Sequence, residues 1–241
     1  LHVPDIDFRS HCPTFKGCLS DIRDWSQSHS DHLPIIITIN PKISGLERPG
    51  FAEVLPFDRK VLDALDGEIL EIFNDSELVT PKQVKGKQAT LRKAIIDKGW
   101  PDLAKVRGKI LFVFDAGNEL TELYMEGDEN YARPMFSSTN NDNPHAALFI
   151  MNDPVKQEKQ IAELVKQGFM VRTRSDADTR EARTGDKTRF EAATRSGAQV
   201  ITTDYYLKSL SPDKDFEIIF VDGRYQRCNP VLTNSSTCDL P

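Results

Sequence analysis

The stretch Val171-Arg172-Thr173-Arg174-Ser175-Asp176 decides how the fold is interpreted, because an apolar start gives way within a few residues to charged side chains. A second stretch, Val200-Ile201-Thr202-Thr203-Asp204-Tyr205, repeats the pattern near the end of the chain. In barrels of parallel strands, the groups that do chemistry gather at the carboxyl ends of the strands. Apolar runs that stop at polar residues therefore predict an enzyme.

Short apolar runs of this kind alternate along the chain with segments of helical periodicity. Strands that alternate with helices indicate right-handed crossover connections and a parallel sheet. The sequence therefore predicts an α/β fold, namely a (β/α)8 barrel with about six strands visible and two expected to be missing at the amino terminus. The predicted strands lie at 1–4, 34–39, 110–114, 146–151, 169–174 and 200–206, and a seventh run, 218–221, is interpreted as an edge addition.

Helical periodicity predicts helices over 14–28, 155–167 and 181–196, and a helix, a loop and a second helix over 57–97. The chain of 241 residues fits one barrel domain over 1–241, with 212–241 as a disulfide-closed carboxyl-terminal extension. We expect a monomer.

The charge pattern argues against two partners, nucleic acid and an anionic lipid surface that a basic tract would bind. The formal net charge is -6, and the charged residues, 28% of the chain, are interspersed in sign, which argues against nucleic-acid binding. No apolar run approaches the roughly 18 residues that span a bilayer. Contact with a membrane is therefore expected to be transient.

The cysteines form two close pairs, Cys12 with Cys18 and Cys228 with Cys238. Neither pair has the C-x-x-C spacing of zinc or redox sites, so local disulfides in an oxidising compartment are favoured over buried free thiols. An N-glycosylation acceptor, Asn234-Ser235-Ser236, lies in the same tail. These features predict a secreted protein.

Two pairs of residues could hold an anion. Arg172 and Arg174 alternate with Val171 and Thr173, so both guanidinium groups point to one face of a strand. That face is either the mouth of the barrel, where a guanidinium suits phosphate, or the outer layer, where it would pair with helix carboxylates. Asn40 and Lys42 end another strand, where they could meet phosphate or a cation, or simply form a turn.

Two further candidates are weaker when taken alone. His2 is the histidine that lies on a strand-end pattern, and an imidazole transfers protons near neutral pH; the alternative is an incidental terminal histidine. Asp204 and Tyr205 close the last strand, where Tyr205 could lie against a sugar or cyclitol ring or pack in the core. The other four histidines are interpreted as surface or capping residues.

Assembled, these residues resemble the calcium-dependent phosphoinositide-specific phospholipase C family of bacteria and fungi. The resemblance covers nearly the whole chain, and its most specific block is Val171 to Thr179. The segments that carry it are Leu1 to Arg9, Cys18 to Trp25, His32 to Ile35, Lys42, Leu78 to Gly86, Gly99 to Pro101, Gly108 to Phe112, Val171 to Thr179, Glu181 to Arg183, Ser196 to Gln199, Thr203 to Tyr205 and Arg227 to Pro230.

The resemblance implies cleavage of phosphatidylinositol to diacylglycerol and an inositol phosphate, with a cyclic inositol phosphate formed first and Ca²⁺ as cofactor. It also implies that His2 is the catalytic histidine near the leaving oxygen. Asn40 occupies a position where relatives often have a carboxylate ligand for calcium, and an amide there would bind more weakly. The implied substrate-binding residues are Lys42, Arg172, Arg174, Asp204 and Tyr205, with Tyr205 facing the ring.

The sequence departs from the family at its start, where strands that carry a second histidine and acidic calcium ligands have no counterpart. The expectation is therefore little or no lipase activity from this sequence as written. Two alternatives stay open. One is a glycerophosphodiester phosphodiesterase or sphingomyelinase D relative, and the other is a non-catalytic fragment that binds inositol phosphates or lipid headgroups.

Overall fold

The computed structural model describes residues 4–7, 10–207, 211–212, 216–220 and 223–232. The chain divides into two compact units, Leu1–Ala146 and Ala147–Pro241. Each unit combines helices with a parallel sheet of three strands.

The first helices begin at polar caps. Helix α1, Phe15–Ser28, starts after Thr14, whose side chain accepts a hydrogen bond from the Gly17 N–H. Helix α2, Arg59–Ile72, starts at Asp58 in the same way, and the short helix α3, Pro81–Lys85, has a capping box between Thr80 and Gln83. Such caps satisfy backbone N–H groups that a helix leaves without partners.

The first sheet is built around a fully buried strand. Strand β2, Ile110–Phe114, lies between β1, Ile35–Ile39, and the two-residue strand β3, Phe136–Ser137, and all pairings are parallel. A bridge from Leu78 to Ile110 continues the edge of β2 that faces β3. A strand that is apolar at every position is typical of a sheet covered on both faces.

The core of this unit joins the sheet to two helices. Phe112 and Phe114 of β2 pack with Leu62 and Ile69 of α2 and with Tyr124 of α6, Asn118–Met125. The remaining helices of the unit are α4, Leu91–Lys98, and α5, Leu103–Val106.

The second unit repeats the strand and helix alternation. Its strands are β4, Leu148–Ile150, β5, Met170–Arg174, and β6, Val200–Thr202, with β5 in the centre. Its helices are α7, Pro154–Lys166, α8, Arg180–Thr184, and α9, Thr188–Ser196. Helices α7 and α9 pack against each other and against β5.

The α/β class with parallel strands is confirmed, and the closed barrel and the single domain stay predictions. Five of the predicted strands correspond to β1, β2, β4, β5 and β6. The first predicted strand falls mostly on residues outside the described ranges. Strand β3 was missed, because two residues are too few to carry a periodicity.

Three local predictions need correction. The loop predicted after α2 contains helix α3. The predicted helix over 181–196 is divided into α8 and α9, because Gly185 adopts a left-handed conformation with φ of 67° and ends the first of them. Residues 218–220 form no strand among the described residues; Ile218 packs instead with Phe216 and Tyr205 in a small core.

The structure contains a disulfide between Cys12 and Cys18, with their Cα atoms 5.3 Å apart. Cys228 is also disulfide-bonded, and its predicted partner, Cys238, lies outside the described residues. Among the helices described, none combines the length and the apolar character needed to span a bilayer.

Candidate functional site

In the first unit, polar side chains meet where β1 and β2 end. Asn40 follows β1 and donates from its Nδ2 to the carbonyl oxygen of Asp115, at 2.7 Å, and to the Asp115 carboxylate, at 3.0 Å. The Lys42 ammonium donates to the Asn40 Oδ1. The amide therefore connects the ends of two neighbouring strands and orients an exposed lysine.

These residues alone do not fit a calcium site. Calcium takes roughly six to eight oxygen ligands, mostly carboxylates and carbonyls, whereas the Asn40 oxygen already accepts from a lysine. No group of three or more His, Cys, Asp or Glu side chains arranged for a metal ion occurs within the described ranges. The role of Asn40 as a calcium ligand stays a prediction.

In the second unit, the two arginines of β5 share one face. Val171 and Thr173 are fully buried, whereas Arg172 and Arg174 are partly exposed. Because side chains alternate along a strand, both arginines project away from the face that carries Val171 and Thr173. The pairing on one face that the sequence predicts is therefore present.

The two guanidinium groups differ in their contacts. The Arg172 Nη1 donates to the Asn152 Oδ1 at 2.6 Å. This bond connects the arginine to the loop that begins directly after β4. The Arg174 guanidinium has no hydrogen bond or ion pair with any other residue that the structure describes. Arg174 thus places a permanent positive charge at the carboxyl end of the central strand. Its N–H donors are available for an anion.

Asn152 is held from a second side by Arg189. The Arg189 Nη1 donates to the Asn152 carbonyl oxygen at 3.1 Å, and its Nε donates to the Glu181 carboxylate at 2.8 Å. The other Glu181 oxygen accepts the N–H of Ala177 at 2.9 Å. The contacts connect the loops after β4 and β5 with helices α8 and α9.

The electrostatics of Glu181 favour its charged form. Burial raises the pKa of the Glu181 carboxyl, but the hydrogen bonds from Arg189 and from the Ala177 N–H outweigh it, so the net pKa lies below the usual value. A carboxylate that stays charged keeps Arg189 and the loop in place at neutral pH.

The ends of β5 and β6 are joined by a separate set of hydrogen bonds. The Ser175 hydroxyl lies 3.0 Å from the Thr202 carbonyl oxygen and 2.7 Å from the Asp176 carboxylate. The other oxygen of Asp176 accepts the N–H of Asp204 at 2.9 Å. Asp176 is buried, whereas the side chain of Asp204 is exposed. The loop that carries Asp204 is therefore anchored, and its carboxylate faces solvent.

The described residues include Tyr205 but not His2. Tyr205 is buried, and its ring makes an edge contact with Phe216 at 5.9 Å, a position that suits the packing role. The inositol-facing role of Tyr205 stays a prediction. His2 lies outside the described residues.

The structure thus brings predicted residues together within each unit. Asn40 and Lys42 touch in the first, and Arg172, Arg174 and Asp204 lie at the carboxyl ends of β5 and β6 in the second. Sequence reasoning missed Asp115, Asn152 and Arg189 as supporting residues. For Asp115 and Asn152 a signal exists, because each follows an apolar run in the way that the predicted residues do; Arg189 lies on a helix and offers none.

Comparison with known proteins places these sites in context. Residues 1–230 match the model of the family described as phosphoinositide phospholipase C, Ca2+-dependent. No curated protein sequence matches the chain.

Solved structures share the fold at low identity. A calcium-dependent phosphoinositol-specific phospholipase C from Pseudomonas sp., titled a myoinositol complex, is 20% identical with a TM-score of 0.52, covering 66% of this chain and 58% of that one. Another crystal form of that enzyme is 19% identical with a TM-score of 0.59, covering 82% and 66%. The phosphatidylinositol-specific enzyme of Streptomyces antibioticus is 19% identical with a TM-score of 0.56, covering 80% and 70%.

At these identities the likeness is one of fold. The chain spans only 57% to 58% of the length of the first two Pseudomonas structures that it matches.

Proposed function

Because the chain belongs to the calcium-dependent phosphoinositide phospholipase C family, we propose that it acts on phosphatidylinositol, releasing diacylglycerol and an inositol phosphate. In this proposal the inositol 2-hydroxyl attacks phosphorus, the glycerol oxygen leaves, and the first product is a cyclic inositol phosphate. The family description and the carboxyl-end position of the candidate residues support this reaction class.

The observation that carries the proposal is the Arg174 guanidinium, which has no partner within the described part of the chain. A guanidinium presents several N–H donors in a plane and suits the oxygens of a phosphate diester. Arg172, on the same strand face, is oriented by Asn152. We propose that Arg174 binds the phosphate or inositol oxygens directly and that Arg172 adds positive potential beside it.

Other residues have proposed roles of their own. Lys42 of the first unit, oriented by Asn40, contacts a phosphate oxygen, and His2 protonates the leaving glycerol oxygen. Asp204, exposed on its anchored loop, accepts a hydrogen bond from a ring hydroxyl. Calcium, when bound, would neutralise charge on the phosphoryl group, but no step is assigned to it because the described donors do not build its site.

A secreted location is part of the proposal. The Cys12–Cys18 disulfide supports it, because disulfides persist mainly in oxidising compartments.

Titration calorimetry of residues 1–241 with inositol phosphate tests the binding half of the proposal. Wild type should bind, and Arg174→Ala should weaken binding about tenfold to a hundredfold, the usual range for one charged hydrogen-bonding group. The matched control is Arg195→Ala, which removes an arginine that pairs with Glu158 across α7 and α9. Equal affinities for wild type and Arg174→Ala would contradict the assignment.

Product analysis tests the reaction. A protein carrying residues 1–241 is incubated with phosphatidylinositol and calcium. Residues 1–241 alone should give little or no turnover, and the first product of any turnover should be cyclic inositol phosphate. Formation of glycerol phosphate from a glycerophosphodiester would indicate a glycerophosphodiester phosphodiesterase instead. Formation of ceramide phosphate from sphingomyelin would indicate a sphingomyelinase D.

A further inference from the structure

The segment after β1, residues 41–57, is here named the β1 loop. It exposes three large aliphatic side chains: Ile43 is 61% exposed, Leu46 is 51% exposed and Leu55 is 71% exposed. Single exposed aliphatics are ordinary on protein surfaces, but three in one irregular segment concentrate exposed apolar surface in this loop. The loop leaves β1 at its carboxyl end, directly after Asn40.

The main chain of this loop is anchored, so the exposure is not the result of a loosely attached segment. The buried carboxylate of Asp5 accepts the N–H groups of Leu46, at 2.7 Å, and Glu47, at 2.9 Å. The Asp5 carbonyl oxygen accepts the N–H of Ala52 at 3.0 Å. Leu46 therefore belongs to the stretch of backbone that Asp5 holds in place, and Ile43 and Leu55 lie on either side of that stretch.

Gly45 makes this anchoring possible. A Cβ atom at Gly45 would overlap the carboxylate of Asp5, so only glycine lets the backbone approach so closely. Asp5 and Gly45 thus fix the backbone of the loop, while its aliphatic side chains stay exposed to water.

The charges of the loop indicate which partner it fits. Its two cations, Lys42 and Arg48, are balanced by Glu47 and Glu53, and the whole chain carries a formal net charge of -6. A surface of this kind gains little from an anionic partner. It suits an apolar partner with a polar boundary, which is the chemistry of a phospholipid interface.

We propose that the β1 loop docks the protein on a phospholipid bilayer, with Ile43, Leu46 and Leu55 entering the interfacial layer. The inference rests on the proposed function, since a phosphatidylinositol substrate is presented in such a layer. Docking at the carboxyl end of β1 brings the headgroup to Lys42 without extracting the lipid.

The second unit has a similar feature at a strand end. Tyr206 is 65% exposed and Leu207 is 51% exposed, and both follow β6 closely. A tyrosine with an apolar neighbour is typical of residues that lie at the membrane interface.

Sedimentation with phosphatidylcholine vesicles, which contain no substrate, tests the docking. The variant Leu46→Ser/Leu55→Ser should bind at least about tenfold more weakly than wild type, because two aliphatic side chains no longer leave water. The control is Leu70→Ser/Leu103→Ser, which removes two similarly exposed leucines from helices α2 and α5 and should bind like wild type.

Several outcomes would overturn the proposal. One is equal vesicle binding by the loop variant and wild type, and another is no binding by wild type. A third is a loss of self-association or a large fall in thermal stability in the loop variant alone, which would mean that a second copy or another protein segment covers the leucines.

A second measurement separates this proposal from the function. Turnover of a short-chain, monomeric phosphatidylinositol should be the same in wild type and the loop variant, while turnover of vesicle-bound lipid should fall. The phosphatidylcholine experiment decides the docking even where no variant turns over lipid, because those vesicles contain no substrate. A product other than an inositol phosphate would remove the proposed function and leave the docking result unchanged.

Discussion

At the scale of single residues, local surroundings distinguish side chains that look equivalent in the sequence. Arg172 and Arg174 share a strand face, yet Arg172 donates to Asn152, whereas Arg174 has no partner among the described residues. We therefore assign direct ligand binding to Arg174 and expect its replacement to have the larger effect on affinity.

His145 should make stability depend on pH. Its ring packs on Tyr131 at 4.4 Å, and burial lowers its pKa below the usual 6.5, more than Asp128 and Glu129 raise it. As the pH falls below 6.5, the unfolded chain binds the proton first, so stability falls with pH in that window.

His145→Phe keeps an aromatic ring against Tyr131, and we expect its thermal unfolding midpoint to fall less than that of wild type between about pH 7 and pH 5.5. His11→Phe, which replaces an exposed histidine, should follow wild type. Thermal melts by circular dichroism measure all three proteins. Parallel curves for wild type and His145→Phe would contradict the prediction.

At the scale of elements, a few residues decide where a strand or helix can lie. Gly108 precedes β2 with φ of 69°, and its N–H donates to the His32 carbonyl oxygen at 2.9 Å. A Cβ atom there would overlap the backbone carbonyl of Ser30. The turn that delivers the central strand of the first sheet therefore requires glycine.

Gly108→Ala should destabilise the protein by about 2–4 kcal/mol, the range for a strained backbone with an added overlap. The control is Gly127→Ala, where φ is 73° but no atom lies within 4 Å of an added Cβ, so only the left-handed strain of about 1–2 kcal/mol applies. Urea unfolding compares the two, and equal losses would show that the Ser30 carbonyl moves away at little cost.

Helices α2 and α6 are joined by a buried polar cluster. The Asp66 carboxylate accepts from the Tyr124 hydroxyl at 2.7 Å and from the Arg133 guanidinium at 2.5 Å. Burial raises the pKa of Asp66 above its usual value, although the contacts with Tyr124 and Arg133 lower it in part. Arg133 also binds the more exposed Asp63 at 2.8 Å.

Arg133→Met should therefore cost about 3 kcal/mol of stability at pH 7, because Asp66 would remain buried without its counter-charge. Without Arg133 the folded-state pKa of Asp66 rises further, so the loss should shrink as the pH falls toward about 4 and the carboxyl becomes protonated. Asp63→Asn should cost about 0–1 kcal/mol. Denaturant unfolding at both pH values checks this, and a loss for Arg133→Met that is independent of pH would contradict it.

At the scale of the whole molecule, net charge and exposed aliphatic residues act in different ways. A chain with a net charge of -6 and a charge-balanced β1 loop has no means of strong electrostatic attachment to lipid. The docking proposed for this loop must then depend on the removal of apolar surface from water.

Vesicle binding should therefore respond little to salt. Association with phosphatidylcholine vesicles should change by less than about threefold between about 0.05 and 0.5 M NaCl, and anionic phosphatidylglycerol should not strengthen it. Sedimentation at each salt concentration measures the effect. Binding that requires anionic lipid and disappears in high salt would point to cationic groups instead.

The sequence by itself determined the α/β class, because alternation of short apolar runs with helical periodicity is a local property. It also determined that Arg172 and Arg174 share a face, since side chains on a strand alternate with a period of two. The quoted motifs were enough to recognise the family. The sequence did not predict strand β3, because two residues are too few to show a period. It did not predict the division of 181–196 into two helices either, because that division depends on the conformation of Gly185.

Only the tertiary structure decided which polar groups are already engaged. Asn152 meets Arg172 and Arg189 across 20 and 37 residues of chain, and Asn40 meets Asp115 across 75. No local pattern specifies such long-range contacts, because they depend on which strand ends become neighbours in a sheet. The packing of Tyr205 beside Phe216, and the hold of Asp5 on the β1 loop, depend on tertiary structure for the same reason.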